Sequence, residues 1–131
     1  MKKTKKKRKR HYHTGEYVSI KSGQICKFRS GWEKSYMEFL DMSLDVISWE
    51  YESIVIPYVA NKKTGKLRKY YPDFFVTKEN DKFLIEIKPS RRIHQAKVMK
   101  KISAANDWCN VNNVKLLIVT EYELKVLGLL K

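Results

Sequence analysis

Residues 70–88 read YYPDFFVTKENDKFLIEIK, and the fold turns on this stretch. Two segments rich in aromatic and β-branched residues, Asp73–Thr77 and Lys82–Lys88, flank the polar Lys78–Asp81. That pattern predicts a β-hairpin. With Thr77 opposite Lys82, Phe75 stands opposite Leu84 and Asp73 opposite Glu86. Side chains directly opposite in an antiparallel pair share a face and lie about 4.5–5.5 Å apart at Cβ. Lys88, two residues beyond Glu86, joins that face. Phe74, Val76, Phe83, Ile85 and Ile87 then point the other way, into a core. A slip of one residue would separate the charges.

Two carboxylates that close repel each other unless a proton or cation lies between them. Mg²⁺ suits such a pair, because it takes oxygen ligands and keeps several waters. A lysine beside the ion can hold a phosphate oxygen or an attacking water. The arrangement therefore points to metal-assisted phosphodiester hydrolysis. The bland alternative is an ordinary surface strand carrying Asp, Glu and Lys in alternation.

The chain has 131 residues and is expected to form one domain, residues 15–131, behind a basic tail, residues 1–14. Its hydrophobic content of 43% argues against global disorder. The net charge is +14, and eight Lys or Arg fall in the first ten residues. Removing those eight leaves 20 basic and 14 acidic groups, so the remainder is still at +6. A polyanion, most simply nucleic acid, is the expected partner. The tail is expected to be disordered and to add salt-dependent affinity for phosphates. Two cysteines, Cys26 and Cys109, make neither a disulfide framework nor a CxxC zinc pair. No apolar run reaches the roughly 18–20 residues of a membrane span. The basic leader lacks the apolar segment of a secretory signal. His11 and His13 form an HxH pair that nothing nearby completes as a metal site.

Working outward, Ser30–Leu44 predicts a helix. Ser30 is its N-cap, and Glu33 occupies the reciprocal capping-box position. Glu33 is either that cap or a third carboxylate over the strand face. Glu38 and Asp41 are placed toward solvent. Gly15–Phe28 is a weakly patterned lead-in from which Val18, Ile20, Ile25 and Phe28 are expected to pack on the domain. Val46–Tyr51 reads as a short connection, irregular or extended. Ser53–Val59 and Lys66–Tyr71 predict a hairpin that carries Lys62, Lys63, Lys66, Arg68 and Lys69, a grip for a phosphate backbone. Pro72 interrupts the second strand and re-aims Asp73. Ser90–Cys109 predicts a second helix, with Val98, Ile102, Ala105 and Cys109 as its apolar stripe. Arg91, Arg92, His94, Gln95, Lys97, Lys100 and Lys101 cluster toward its first half, near the acidic face, and Arg91, Arg92, His94, Gln95 and Lys97 are candidates for DNA contact. Lys115–Thr120 predicts a buried strand parallel to Lys82–Lys88, and Glu121–Leu130 a closing helix.

Pro72-Asp73, Glu86-Ile87-Lys88 and Ser30-Gly-Trp-Glu33 resemble the motifs of the PD-(D/E)XK nuclease superfamily. The last of these is similar to that of the endonuclease subunit of cut-and-paste transposons. FRSGWEKSYMEFLD, ISWEYESIVIPY, KYYPDFFV, FLIEIKPS and IVTEYEL further resemble the head-completion nucleases of tailed phages, over about residues 27–124. The resemblance implies an α/β fold with a restriction-endonuclease-like core, a mixed central sheet flanked by helices. It implies that Asp73, Glu86 and the Ile87 carbonyl bind Mg²⁺, or Mn²⁺ in its place, with Glu33 acting directly or through water. It implies that Lys88 orients the nucleophilic water. DNA is the implied substrate, phage head, neck or portal proteins are implied partners, and a homodimer is one way to cut both strands. Host cytoplasm and virion are the implied locations. The competing readings are a non-catalytic DNA-binding virion structural protein and a basic RNA-binding protein. The second explains the charge but not the acidic pair.

Overall fold

The computed structural model describes residues 14–130. The basic arm and the His11/His13 pair lie outside the described residues. The chain runs through β1 (Gly15–Val18), β2 (Ile25–Phe28), α1 (Gly31–Met42), β3 (Val46–Tyr51), β4 (Ile56–Asn61) and β5 (Lys66–Tyr70). It continues through β6 (Phe74–Lys78), β7 (Lys82–Ile87), a 3₁₀ turn (Ser90–Arg92), α2 (Ala96–Asn112), β8 (Lys115–Val119) and α3 (Glu121–Val126).

Four strands form the central sheet in the order β3-β6-β7-β8. β6 and β7 pair antiparallel with Thr77 opposite Lys82 and Phe75 opposite Leu84, the register the sequence predicts. β8 returns parallel to β7 after the α2 crossover. The expectation of an α/β fold with a mixed sheet between helices therefore holds. Alternation along β6 and β7 supplies both faces of the sheet. Phe74, Val76, Ile85 and Ile87 pack with Tyr36, Met37 and Leu40 of α1 and Leu124 of α3. Leu84 packs on the opposite face with Ala105 and Cys109 of α2 and with Ile56, Tyr58 and Tyr70 of the β4–β5 hairpin.

α1 starts where expected. Ser30 is extended (φ −152°), and its Oγ accepts the Glu33 N–H at 3.1 Å, satisfying one of the donors a helix start leaves free. α2 ends on Asn113 in the left-handed region (φ 56°), which asparagine tolerates better than most side chains.

The structure corrects five local expectations. The lead-in is a β1–β2 hairpin, in which Val18, Ile20 and Ile25 stay exposed while Cys26 and Phe28 are buried. Val46–Tyr51 takes the extended alternative, but as an edge strand of the central sheet paired to β6 and not as a mere connection. The residues after Pro89 make a 3₁₀ turn, and the helix begins only at Ala96. That turn is held by Glu121, which accepts from Ser90 N (2.7 Å) and Ser90 Oγ (2.9 Å). β8 lies at the sheet edge, so its apolar run is only partly covered, and Leu117 is 43% exposed.

Asp41 is the fifth correction, being buried rather than turned to solvent. It accepts from Tyr17 OH (2.6 Å), Ser19 Oγ (3.1 Å), Ile20 N (2.8 Å), Lys21 N (3.3 Å) and Trp49 Nε1 (2.7 Å). The lead-in hairpin wraps the end of α1 and closes over that carboxylate. Lys21 completes the clasp, its ammonium donating to the carbonyls of Ser43 and Val46.

Candidate active site

Pro72 has no backbone N–H, and the β6–β7 ladder ends at Phe74 opposite Ile85. Asp73 therefore lies just beyond the paired region. Its carbonyl accepts the N–H of Glu52, a residue in the left-handed region (φ 51°). Its carboxylate Oδ2 takes the N–H of Ile87 at 2.7 Å. Asp73 and Glu86 then stand within hydrogen-bonding reach of each other. Glu86 is 5% exposed, and its Oε2 accepts from Tyr70 OH at 2.8 Å.

Both acids hold protons more tightly than ordinary carboxyls. For Asp73 the main cause is burial, then the negative charge of Glu86 and, more weakly, of Glu33. For Glu86 burial outweighs the opposing help of Asp73, Lys88, Tyr70 and Lys101. A pair of this kind, one acid half-buried and the other buried, keeps a proton or takes a cation.

The pair opens into a cavity of about 790 Å³ that Glu33, Lys88, Arg91 and Arg92 also line. Lys69 and Lys101 reach it from β5 and α2. Glu33 Oε1 accepts from Arg29 N at 3.1 Å, not from Ser30 N as the expected capping box requires, and from Tyr51 OH at 2.5 Å; the residue ties the lead into α1 and faces the cavity. Ile87 presents its N–H to Asp73, beside the carbonyl singled out from sequence. Lys62, Lys63, Lys66 and Arg68 are exposed on the β4–β5 hairpin and do not line the cavity. Gln95 and Lys97 likewise stay outside it, because the 3₁₀ turn carries them past its rim.

The donor set fits a hard divalent ion. It offers two oxygen-bearing side chains in contact, at an open polar cavity. Among the described residues no three His, Cys, Asp or Glu gather into a ready ligand cluster. Water and backbone would have to complete the shell, which matches the habit of Mg²⁺ better than that of Zn²⁺.

Arg29, Glu52, Tyr70 and Lys101 are among the lining residues not singled out as site residues from sequence. Arg29 and Glu52 form an ion pair at 2.5 Å, joining the β2–α1 link to the end of β3. Tyr70 belongs to the basic, tyrosine-bearing hairpin, and Lys101 to the basic cluster of the second helix. Lys101 stands three residues after Val98 and four before Ala105, beside the buried stripe of α2. Burial, and then the charges of Lys97 and Lys88, lower its proton affinity.

A mixed sheet flanked by helices, with acids on adjoining strands and a lysine two places beyond the second, is the architecture of a PD-(D/E)XK nuclease. Within that class the chain belongs to the TnsA-like endonuclease N-terminal family, whose model matches residues 43–121. The chain is also 31% identical over 124 residues to the head completion nuclease of Enterobacteria phage T4, covering 77% of this chain and 82% of that protein. The family match includes Asp73, Glu86, Lys88 and Lys101 and begins after α1, leaving Glu33 outside.

Proposed function

We propose that the protein is a Mg²⁺-dependent DNA endonuclease acting in head completion, where it trims DNA after packaging. The observation that carries this reading is the pairing of half-buried Asp73 with buried Glu86, two acids of raised proton affinity in a cavity also lined by Lys88, Arg91 and Arg92. Head completion is taken from the name of the phage T4 relative, and the trimming step is part of the proposal.

Asp73 and Glu86 would hold the ion through carboxylate oxygens, aided by the Ile87 carbonyl and by Glu33 through water. A bound divalent ion polarises a phosphoryl oxygen and lowers the pKa of its water. Lys88 orients the attacking water and offsets the charge that builds on the phosphate. Tyr70 holds Glu86 in one orientation by its hydroxyl. Arg91, Arg92 and Lys69 position the backbone at the cavity, and Lys62, Lys63, Lys66 and Arg68 extend the grip along the hairpin. One such site cuts one strand, so a double-strand break needs a second copy or a second event. Head, neck or portal proteins are the partners this role calls for, in the host cytoplasm and the virion. Among the described residues no helix is long and apolar enough to cross a membrane.

The test is cleavage of supercoiled, branched and single-stranded DNA with Mg²⁺ or Mn²⁺, with EDTA as control. Metal-dependent cutting that disappears in Asp73→Ala and Lys88→Ala is the expected result. Salt-sensitive DNA binding with no cutting on any substrate would instead support the non-catalytic virion protein.

A further inference from the structure

Lys101 enters the cavity from α2, an element separate from the strands that carry Asp73, Glu86 and Lys88. It is half-buried, and its ammonium lies 5.7 Å from the centroid of the Tyr70 ring. That distance is within the range of a cation–π contact, which orients a lysine without neutralising it. The same Tyr70 gives its hydroxyl to Glu86 at 2.8 Å. One aromatic side chain therefore seats the lysine on its face and holds the acid at its edge.

Lys101 is close enough to Glu86 for its charge to favour the ionised acid. Yet it forms no ion pair with any carboxylate of the described residues. Lys88, Lys97 and Arg92 add like charges around it. An ammonium drawn partly out of water, crowded by cations and pinned on a ring has three free donors and no anionic partner. The missing partner is an anion that enters from the cavity.

We propose that Lys101 is a second catalytic cation, stationed by Tyr70 to hydrogen-bond a non-bridging oxygen of the scissile phosphate. The inference rests on the nuclease reading and deepens it. In the reaction water adds to phosphorus, the ester P–O bond breaks, and the departing oxygen takes a proton. Negative charge grows on the non-bridging oxygens between those events. Lys101 stays protonated throughout and offsets that charge, while Lys88 serves the attacking water. Because the interaction strengthens as charge develops, it acts on the transition state more than on the bound substrate.

The experiment compares wild type with Lys101→Met, Lys101→Arg, Tyr70→Phe and Tyr70→Leu in steady-state cleavage and in DNA binding without cleavage. Thermal melting of each variant confirms that it folds. Losing one preorganised donor typically lowers kcat by about 10²–10³-fold. Lys101→Met is expected to show a drop of that order, with KM and DNA affinity within about threefold, since one phosphate interaction among many changes binding little. Lys101→Arg should recover part of the rate. Tyr70→Phe keeps the ring and should retain more activity than Tyr70→Leu, which loses both functions. Wild-type cleavage that is unchanged in Lys101→Met, or a loss confined to KM, overturns the proposal and leaves the nuclease reading standing. A wild type that cuts nothing overturns both.

Discussion

The backbone N–H of Ile87 points at the carboxylate of Asp73, 2.7 Å away, just past the last paired residues of β6 and β7. In a continued ladder that N–H would bond to backbone. Because Pro72 interrupts the run, the donor is left for a side chain, and the acid is drawn down against Glu86. The protein thereby holds two carboxylates closer than their charges favour, a stability cost concentrated at the site that chemistry needs.

Relieving that repulsion should stabilise the metal-free protein. Asp73→Asn keeps an acceptor for the Ile87 N–H and removes a charge. In EDTA at mildly alkaline pH its Tm should rise by about 4 °C, corresponding to about 1 kcal/mol for a domain of this size. Cleavage should vanish. Thermal denaturation of both proteins checks this, and a lower Tm in the variant would contradict the account.

Metal should act on the same pair. Millimolar Mg²⁺ or Mn²⁺ is expected to raise the Tm of wild type, because it binds the folded state alone. Asp73→Asn should respond little. An equal rise in both proteins would place the ion elsewhere.

Asp41 fastens the lead-in hairpin to α1. Asp41→Ala leaves donors on Tyr17, Ile20 and Trp49 unpartnered and should cost about 3 kcal/mol in denaturant unfolding. Burial alone would raise this carboxyl, but hydrogen bonds from Tyr17, Ile20, Trp49 and Lys21 outweigh it and hold it below the ordinary range. An acid depressed in the fold lends stability above its unfolded pKa, about 3.9, and loses it as pH falls through the folded value. The stability gap between wild type and Asp41→Asn should therefore be full near neutrality and narrow below about pH 4. A gap that widens on acidification would refute the assignment.

The two sets of basic residues should separate in kinetics. Replacing Lys62, Lys63, Lys66 and Arg68 by serine should weaken DNA binding. Its salt dependence should flatten by about 0.9 in log–log slope for each duplex phosphate that is no longer neutralised. The rate at saturating DNA should stay near wild type. Replacing Arg91 and Arg92, which line the cavity, should lower that rate as well. Cleavage measured across a salt series distinguishes the two.

Tyr51→Phe frees Glu33 from its 2.5 Å hydrogen bond while leaving the ring packed against Phe74. If Glu33 acts through water, the variant should cut roughly tenfold more slowly, less than the about 10²–10⁴-fold that loss of a positioned proton-handling group costs, because Glu33 is loosened and not removed. An unchanged rate would confine Glu33 to tying the lead into α1.

Much of this was legible in the linear chain, and the reason is local. Alternation in β6 and β7, with a short polar turn, permits one register that buries Phe74, Val76 and Ile85 together, and that register brings Asp73 to Glu86. Ser30 caps α1 through a bond to Glu33, three residues away. Val46–Tyr51 was harder, since its burial alternates poorly at a sheet edge. Ser90–Arg92 looked helical, and only its tie to Glu121, far along the chain, holds it apart as a separate turn.

By itself the sequence determined the hairpin, its register, the acid–acid–lysine face and the parallel return of β8, all consequences of side-chain period and short-range turns. The tertiary structure alone decided that Asp41 is buried, that Lys101 and Glu86 line one cavity, and that Tyr70 touches both of them. Those relationships join residues on separate elements. Their distances depend on how the hairpins and α2 pack on the two faces of the sheet, which no local periodicity encodes.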